Sequence, residues 1–167
     1  MQVTYCELWS SKRRKPTGTM SADQARQRDA RGESYSVVIG DPDAPESVIE
    51  VVPENKYFNV NFIDGEGRTS AAYGFEKIDD SKLFLAEVTL WTYPQGARSK
   101  SQASRVETFE FRPDGYAAQT VDDSSSEQIE TTEKINVSVE ANWEPVPEFG
   151  NWESIARYDR GAPATSS

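Results

Sequence analysis

Residues 58–93 read FNVNFIDGEGRTSAAYGFEKIDDSKLFLAEVTLWTY, and their pattern decides the fold. Phe58, Val60 and Phe62 alternate with Asn59 and Asn61, the period of two expected of a strand with one buried face. Asp64-Gly65-Glu66-Gly67 then closes a hairpin, since glycine supplies the positive φ that tight turns require. The return strand, residues 69–78, puts Ala71, Tyr73 and Phe75 on one face. Asp79-Asp80-Ser81 turns the chain again into residues 83–93, apolar enough on both faces to be central in a sheet.

The same grammar continues toward the C-terminus. Residues 94–104 form a loop rich in Gly, Ser, Lys and Arg, longer than a hairpin needs, and such loops are exposed and either functional or mobile. Phe109 and Phe111 mark the next strand, Arg112-Pro113-Asp114-Gly115 a turn, and residues 116–121 the return. After Asp122-Asp123-Ser124-Ser125-Ser126, one more strand is expected with Ile129, Thr131, Ile135, Val137 and Val139 on one face. The central region therefore reads as an antiparallel meander of about six strands.

Toward the N-terminus, residues 3–9, 35–40 and 48–52 are further strands. Ser21-Ala22-Asp23-Gln24 fits a capping box and predicts a polar helix over residues 22–31. Near the other end, Asn151 can cap a short helix with Trp152, Ile155 and Ala156 on one face. The expected fold class is α+β: a curved antiparallel meander of about six strands plus N-terminal strands, with short helices on one face or edge. Residues 1–160 would form one domain and residues 161–167 a disordered tail.

Composition excludes more than the motifs add. The chain has 167 residues, no His, one Cys and a formal charge of −10. Without His there is no Ser–His–Asp or Cys–His machinery and no switch titrating near neutrality. One Cys forms no internal disulfide, and the Cys and His needed for structural zinc are missing. No cofactor and no metal site is expected. The first nine residues lack the apolar run of a signal peptide, and no stretch is long enough to cross a bilayer, so a cytoplasmic, bacterial-type protein is expected.

Charge is unevenly placed. Residues 1–34 carry seven Lys/Arg against four Asp/Glu, whereas residues 101–167 carry five against thirteen. An acidic surface repels nucleic acid and membrane headgroups and speeds encounter with basic partners. Lys12-Arg13-Arg14-Lys15 is a compact basic cluster that could contact phosphate, but reads first as a solvated loop or a partner for the chain's own acidic half. Asp41, Asp43 and Glu46 do not make a calcium loop, because Pro45 and Glu46 stand where a ligand and a Gly are needed. Cys6, in a strand, is expected to be an inert buried thiol.

Two features carry the functional expectation. One is the acidic run Asp122, Asp123, Glu127, Glu130 and Glu133; the other is the aromatic pair Trp91 and Tyr93 at a strand end beside the long loop. Together they suggest a surface for a basic protein partner. In size, acidity and lack of catalytic residues the chain is similar to small cytosolic immunity proteins, which cover a toxin's basic active cleft. That similarity implies a non-catalytic inhibitor that binds no nucleic acid and no membrane. The alternative is a small-molecule binder with Tyr73, Phe84, Phe109 and Phe111 lining the concavity of the sheet. A third reading is a carboxylate enzyme using Glu76 and Glu87 on neighbouring strands.

Overall fold

The computed structural model describes residues 1–160. In chain order they form β1 (Val3–Ser10), β2 (Lys15–Met20), α1 (Ala22–Ala30), β3 (Tyr35–Asp41), β4 (Ala44–Val52), β5 (Tyr57–Ile63), β6 (Thr69–Lys77), β7 (Lys82–Thr92), β8 (Arg105–Phe111), β9 (Ala117–Asp123), β10 (Glu130–Lys134) and β11 (Trp143–Pro145). All strands join one antiparallel sheet in the order β10-β9-β8-β7-β6-β5-β4-β3-β1-β2, with β11 pairing β7. The meander from β5 to β10 matches the sequence reading. The α+β expectation is overturned: one nine-residue helix stands against eleven strands, so the fold is nearly all-β.

Two strands escape the periodicity. β2 is polar and carries Pro16 and Gly18; it is extended because it pairs with β1, not because it has an apolar face. β11 exists because β8 pairs only with residues 87–92 of β7, leaving residues 82–84 free for Trp143, Glu144 and Pro145. In the other direction, the expected strand over residues 129–139 is cut to Glu130–Lys134. Asn136 follows with a φ of +58°, and Ile129 and Ile135 are exposed rather than sharing a buried face.

α1 forms as its capping box predicts: the Ser21 hydroxyl accepts from the Gln24 amide, and the Gln24 side chain accepts from the Ser21 amide at 2.8 Å. Only Ala25 of the helix is buried. The short helix expected after Asn151 is instead one hydrogen-bonded turn, with Ala156 N–H donating to the Trp152 carbonyl at 3.0 Å. Trp152 and Ile155 nonetheless plug the core. Trp152 Nε1 donates to the Tyr5 hydroxyl at 3.2 Å, so this turn is tied to β1 across nearly the whole chain length. Residues 161–167 lie outside the described residues.

Register assigns the two faces. Tyr5, Val37, Ile49, Val60, Tyr73, Val88 and Phe109 are successive partners across β1 and β3–β8, and their row lies under the C-terminal segment. One position along each strand, Cys6, Ser36, Glu50, Asn59, Gly74, Glu87, Glu110, Ala118 and Glu133 form the neighbouring row. Because side chains alternate, that row belongs to the opposite face. The sheet thus has one apolar face packed by its own chain and one face of mixed polarity.

Candidate functional site

On the mixed face a second, smaller apolar cluster of Cys6, Trp9, Val38 and Val48 packs with Ile63. Above it three hairpin loops converge: residues 11–14 between β1 and β2, 64–68 between β5 and β6, and 93–104 between β7 and β8. They enclose a cleft of about 740 Å³. Leu8, Trp9, Val48 and Ile63 supply its apolar lining, with Glu50 and Asn61 from the strands between.

Two arginines stand between the loops, Arg14 by packing and Arg68 by hydrogen bonds. Arg14 lies against Gly67; a Cβ there would stand 3.0 Å from the Arg14 side chain, and Gly67 also holds a φ of +78°. Arg68 links the second loop to the third. It pairs with Asp64 and Glu66 at 2.9 Å each, donates to the Ala97 carbonyl at 3.1 Å, and covers the Tyr93 ring at 4.5 Å. The Tyr93 hydroxyl in turn donates to the Thr69 carbonyl. Burial works against ionisation of Asp64, but the Arg68 amide and guanidinium and the Glu66 amide outweigh it and hold its carboxyl below the usual range.

Lys12, Arg14, Arg98 and Lys100 line the same cleft, and among the described residues none of the four forms an ion pair. Lys100 is held over the Trp91 ring at 4.5 Å. Burial lowers its pKa, countered by the charge of Glu50, which stands beyond ion-pair distance. Arg98 is placed by its amide, which donates to Gln102 Oε1 at 2.7 Å beside a single 3₁₀ turn at Lys100–Gln102. The long loop is therefore an anchored wall of the cleft. A chain with a net charge of −10 thus gathers four cations without ion pairs around one cleft, with Glu50 as the carboxylate in its lining.

Away from the cleft the mixed face turns acidic. Glu87 of β7 stands directly opposite Glu110 of β8, and neither forms an ion pair among the described residues. Like charges in direct cross-strand register are destabilising, so this row costs stability. Glu76 flanks it on β6 but pairs with Phe84, not with Glu87, across β6–β7. The Tyr57 ring lies over Gly74 between these acids. Its hydroxyl pKa is pushed up first by burial and then by the charges of Glu87, Glu50 and Glu76.

The residues singled out from sequence fall into three places. Tyr73, Phe84, Phe109 and Phe111 are buried in the main core, where Tyr73 donates to the Tyr158 carbonyl at 2.7 Å and Phe84 meets Trp143 edge-on at 4.9 Å. Trp91 and Tyr93 are half-buried, each beneath a cation of the cleft wall. Asp122, Glu127, Glu130 and Glu133 are exposed along the β9–β10 edge, and Asp123 pairs with Arg105 at 3.3 Å. Cys6 is fully buried, and burial raises its thiol pKa. Among the described residues no group of three His, Cys, Asp or Glu side chains is placed to hold a metal ion, and no helix is long and apolar enough to cross a membrane.

Sequence reading reached the aromatic pair and the two basic loops but did not join the loops. Lys12-Arg13-Arg14-Lys15 and the 94–104 loop are far apart in the chain, and their hairpins, β1–β2 and β7–β8, are separated in the sheet by the four strands β3 to β6, so they meet only through the tertiary course of sheet and loops. Comparison with protein-family models, curated proteins and solved structures finds no match to this chain.

Proposed function

We propose that this chain is a non-catalytic binding protein whose ligand is an anion held in the three-loop cleft. One observation carries the reading: Lys12, Arg14, Arg98 and Lys100, unpaired among the described residues, line a single cleft of a strongly acidic chain. The four cations outnumber the Glu50 carboxylate that lines the cleft with them, and an anionic ligand would balance the excess while gaining charge-assisted hydrogen bonds. A cleft of about 740 Å³ lies within the range of small-molecule sites. Binding rather than catalysis is favoured by a sequence without His and by a buried Cys6 whose thiol is pushed toward its neutral form.

The test is calorimetric titration at low salt with three anion classes: tripolyphosphate, citrate and an acidic peptide. Binding by at least one, lost in a variant carrying Lys12→Gln, Arg14→Gln, Arg98→Gln and Lys100→Gln, supports the cleft as the site. Failure of all three to bind the unaltered protein refutes it.

A second reading keeps a basic protein partner, of the toxin–immunity kind, on the acidic part of the same face. The unrelieved Glu87–Glu110 pair favours it, since a partner's Lys or Arg would relieve a repulsion the fold otherwise tolerates. The exposed Asp122 and Glu133 share that face and continue it to the β10 edge, whereas Glu130 alternates to the other face and Glu127 lies in the β9–β10 turn. With a partner captured from the source cell, Glu87→Gln and Glu110→Gln should lower the association rate and flatten its salt dependence. An unchanged rate at low salt would exclude this surface.

A further inference from the structure

Resting on the cleft reading above, we infer that the ligand is a compact oligophosphate, recognised by its chain of phosphates and not by the body attached to it. The charge count supplies the first reason. A phosphate monoester carries roughly −1.5 to −2 charges near neutrality, which about two cations balance. Lys12, Arg14, Arg98 and Lys100 are four against the one lining carboxylate Glu50, and they stand on two separate loops, the first two on the β1–β2 hairpin and the others on the β7–β8 loop. A ligand that satisfies both sides needs charge at more than one centre. Two or three linked phosphates have it. The two guanidinium groups offer forked donors for phosphate oxygens, and the hydroxyls of Ser11 and Ser99 line the same space.

The surroundings argue against a polymer threading over the sheet. From Glu50 in the cleft the row runs through Asn59 and Gly74 to Glu87 and Glu110 and, past Ala118, to Glu133, so a phosphate backbone leaving along the face would meet three further carboxylates. The aromatic groups argue against reading of a base. Trp91 already has Lys100 on its ring, and Trp9 is 8% exposed with its Nε1 donating to the Pro42 carbonyl at 3.4 Å. Neither offers the open face on which a base stacks in single-strand binding.

The experiment is calorimetry on the full chain at one fixed low salt concentration. The probes are inorganic phosphate, pyrophosphate, tripolyphosphate, ATP, GTP and a short single-stranded oligothymidylate. Affinity is expected to rise about tenfold or more from phosphate to tripolyphosphate as charge-assisted contacts accumulate. ATP and GTP should agree within about threefold, since the base is not read. Lys100→Gln or Arg98→Gln should each weaken tripolyphosphate about three- to tenfold while the circular dichroism spectrum is unchanged. An oligothymidylate that binds tenfold more tightly than tripolyphosphate, or a large preference between ATP and GTP, would overturn the inference. Citrate or an acidic peptide binding where no oligophosphate does would overturn it and leave the anion cleft standing. Silence from every anion would remove both.

Discussion

Arg68, on the β5–β6 turn, donates to the main-chain carbonyl of Ala97, on the β7–β8 loop, at 3.1 Å. The bond ties two loops that share no strand hydrogen bonds of their own, and it does so with a side chain whose charge is already met by Asp64 and Glu66. Arg68 is therefore a strut of the cleft wall, and its charge is not what the cleft offers a ligand.

Arg68→Ala should cost about 1–3 kcal/mol, the range for a part-buried hydrogen-bonding partner of charged groups. It should also speed amide hydrogen exchange across residues 94–104 more than in the meander core. Arg68→Lys should not restore protection, because an ammonium cannot serve Asp64, Glu66 and Ala97 from one planar fork. Equal protection of the loop in all three proteins would show that the strut is not needed.

Gly74 is required by Tyr57. A Cβ at position 74 would sit 2.5 Å from the Tyr57 hydroxyl oxygen and 3.2 Å from the ring carbon that bears it. Gly74→Ala should destabilise by about 1–3 kcal/mol through overpacking. In a Tyr57→Phe background the nearest clash is gone, so the cost should fall, and a double-mutant cycle in denaturant reads that coupling. Additive effects would rule out the contact as the cause.

The C-terminal segment is held by a buried ion pair. Glu144 Oε1 accepts from Arg157 and Arg160 at 2.6 Å each, with the Arg160 side chain 1% exposed and that of Glu144 8% exposed. Arg160 also reaches the carbonyls of Ser154 and Ala141 and lies over the Phe75 ring. Glu144→Gln leaves a buried guanidinium without its counter-charge and should cost about 3–5 kcal/mol. Glu148→Gln, on an exposed side chain of the same segment, should change stability by under about 0.5 kcal/mol. Similar midpoints for the two variants would contradict the assignment.

Acid should loosen the cleft through Asp64. Its carboxyl pKa is lower in the folded protein than the ordinary 3.8, so its stabilisation is complete above that value and is lost as pH falls below it through the folded pKa. Asp64→Asn should remove that part of the acid unfolding limb and leave the stability curve above about pH 5 parallel to that of the unaltered protein. An acid limb that is identical in the two proteins would deny Asp64 this role.

The sequence alone determined the meander and its turns. Alternation at Phe58, Val60 and Phe62, the glycine at position 67 and the Asp114-Gly115 turn are local properties, and local sterics decide them. The Ser21–Gln24 cap is equally local. What tertiary structure decided has no period to read. β2 and β11 are strands because a partner strand offered an open edge, and residues 152–156 dock as a turn because Trp152 finds its place among Tyr5, Tyr35 and Phe149. The cleft belongs to the same class. Lys12 and Lys100 line one cleft although their hairpins stand four strands apart in the sheet, so charges distant in the chain share a site through the tertiary course of sheet and loops, which no local pattern encodes.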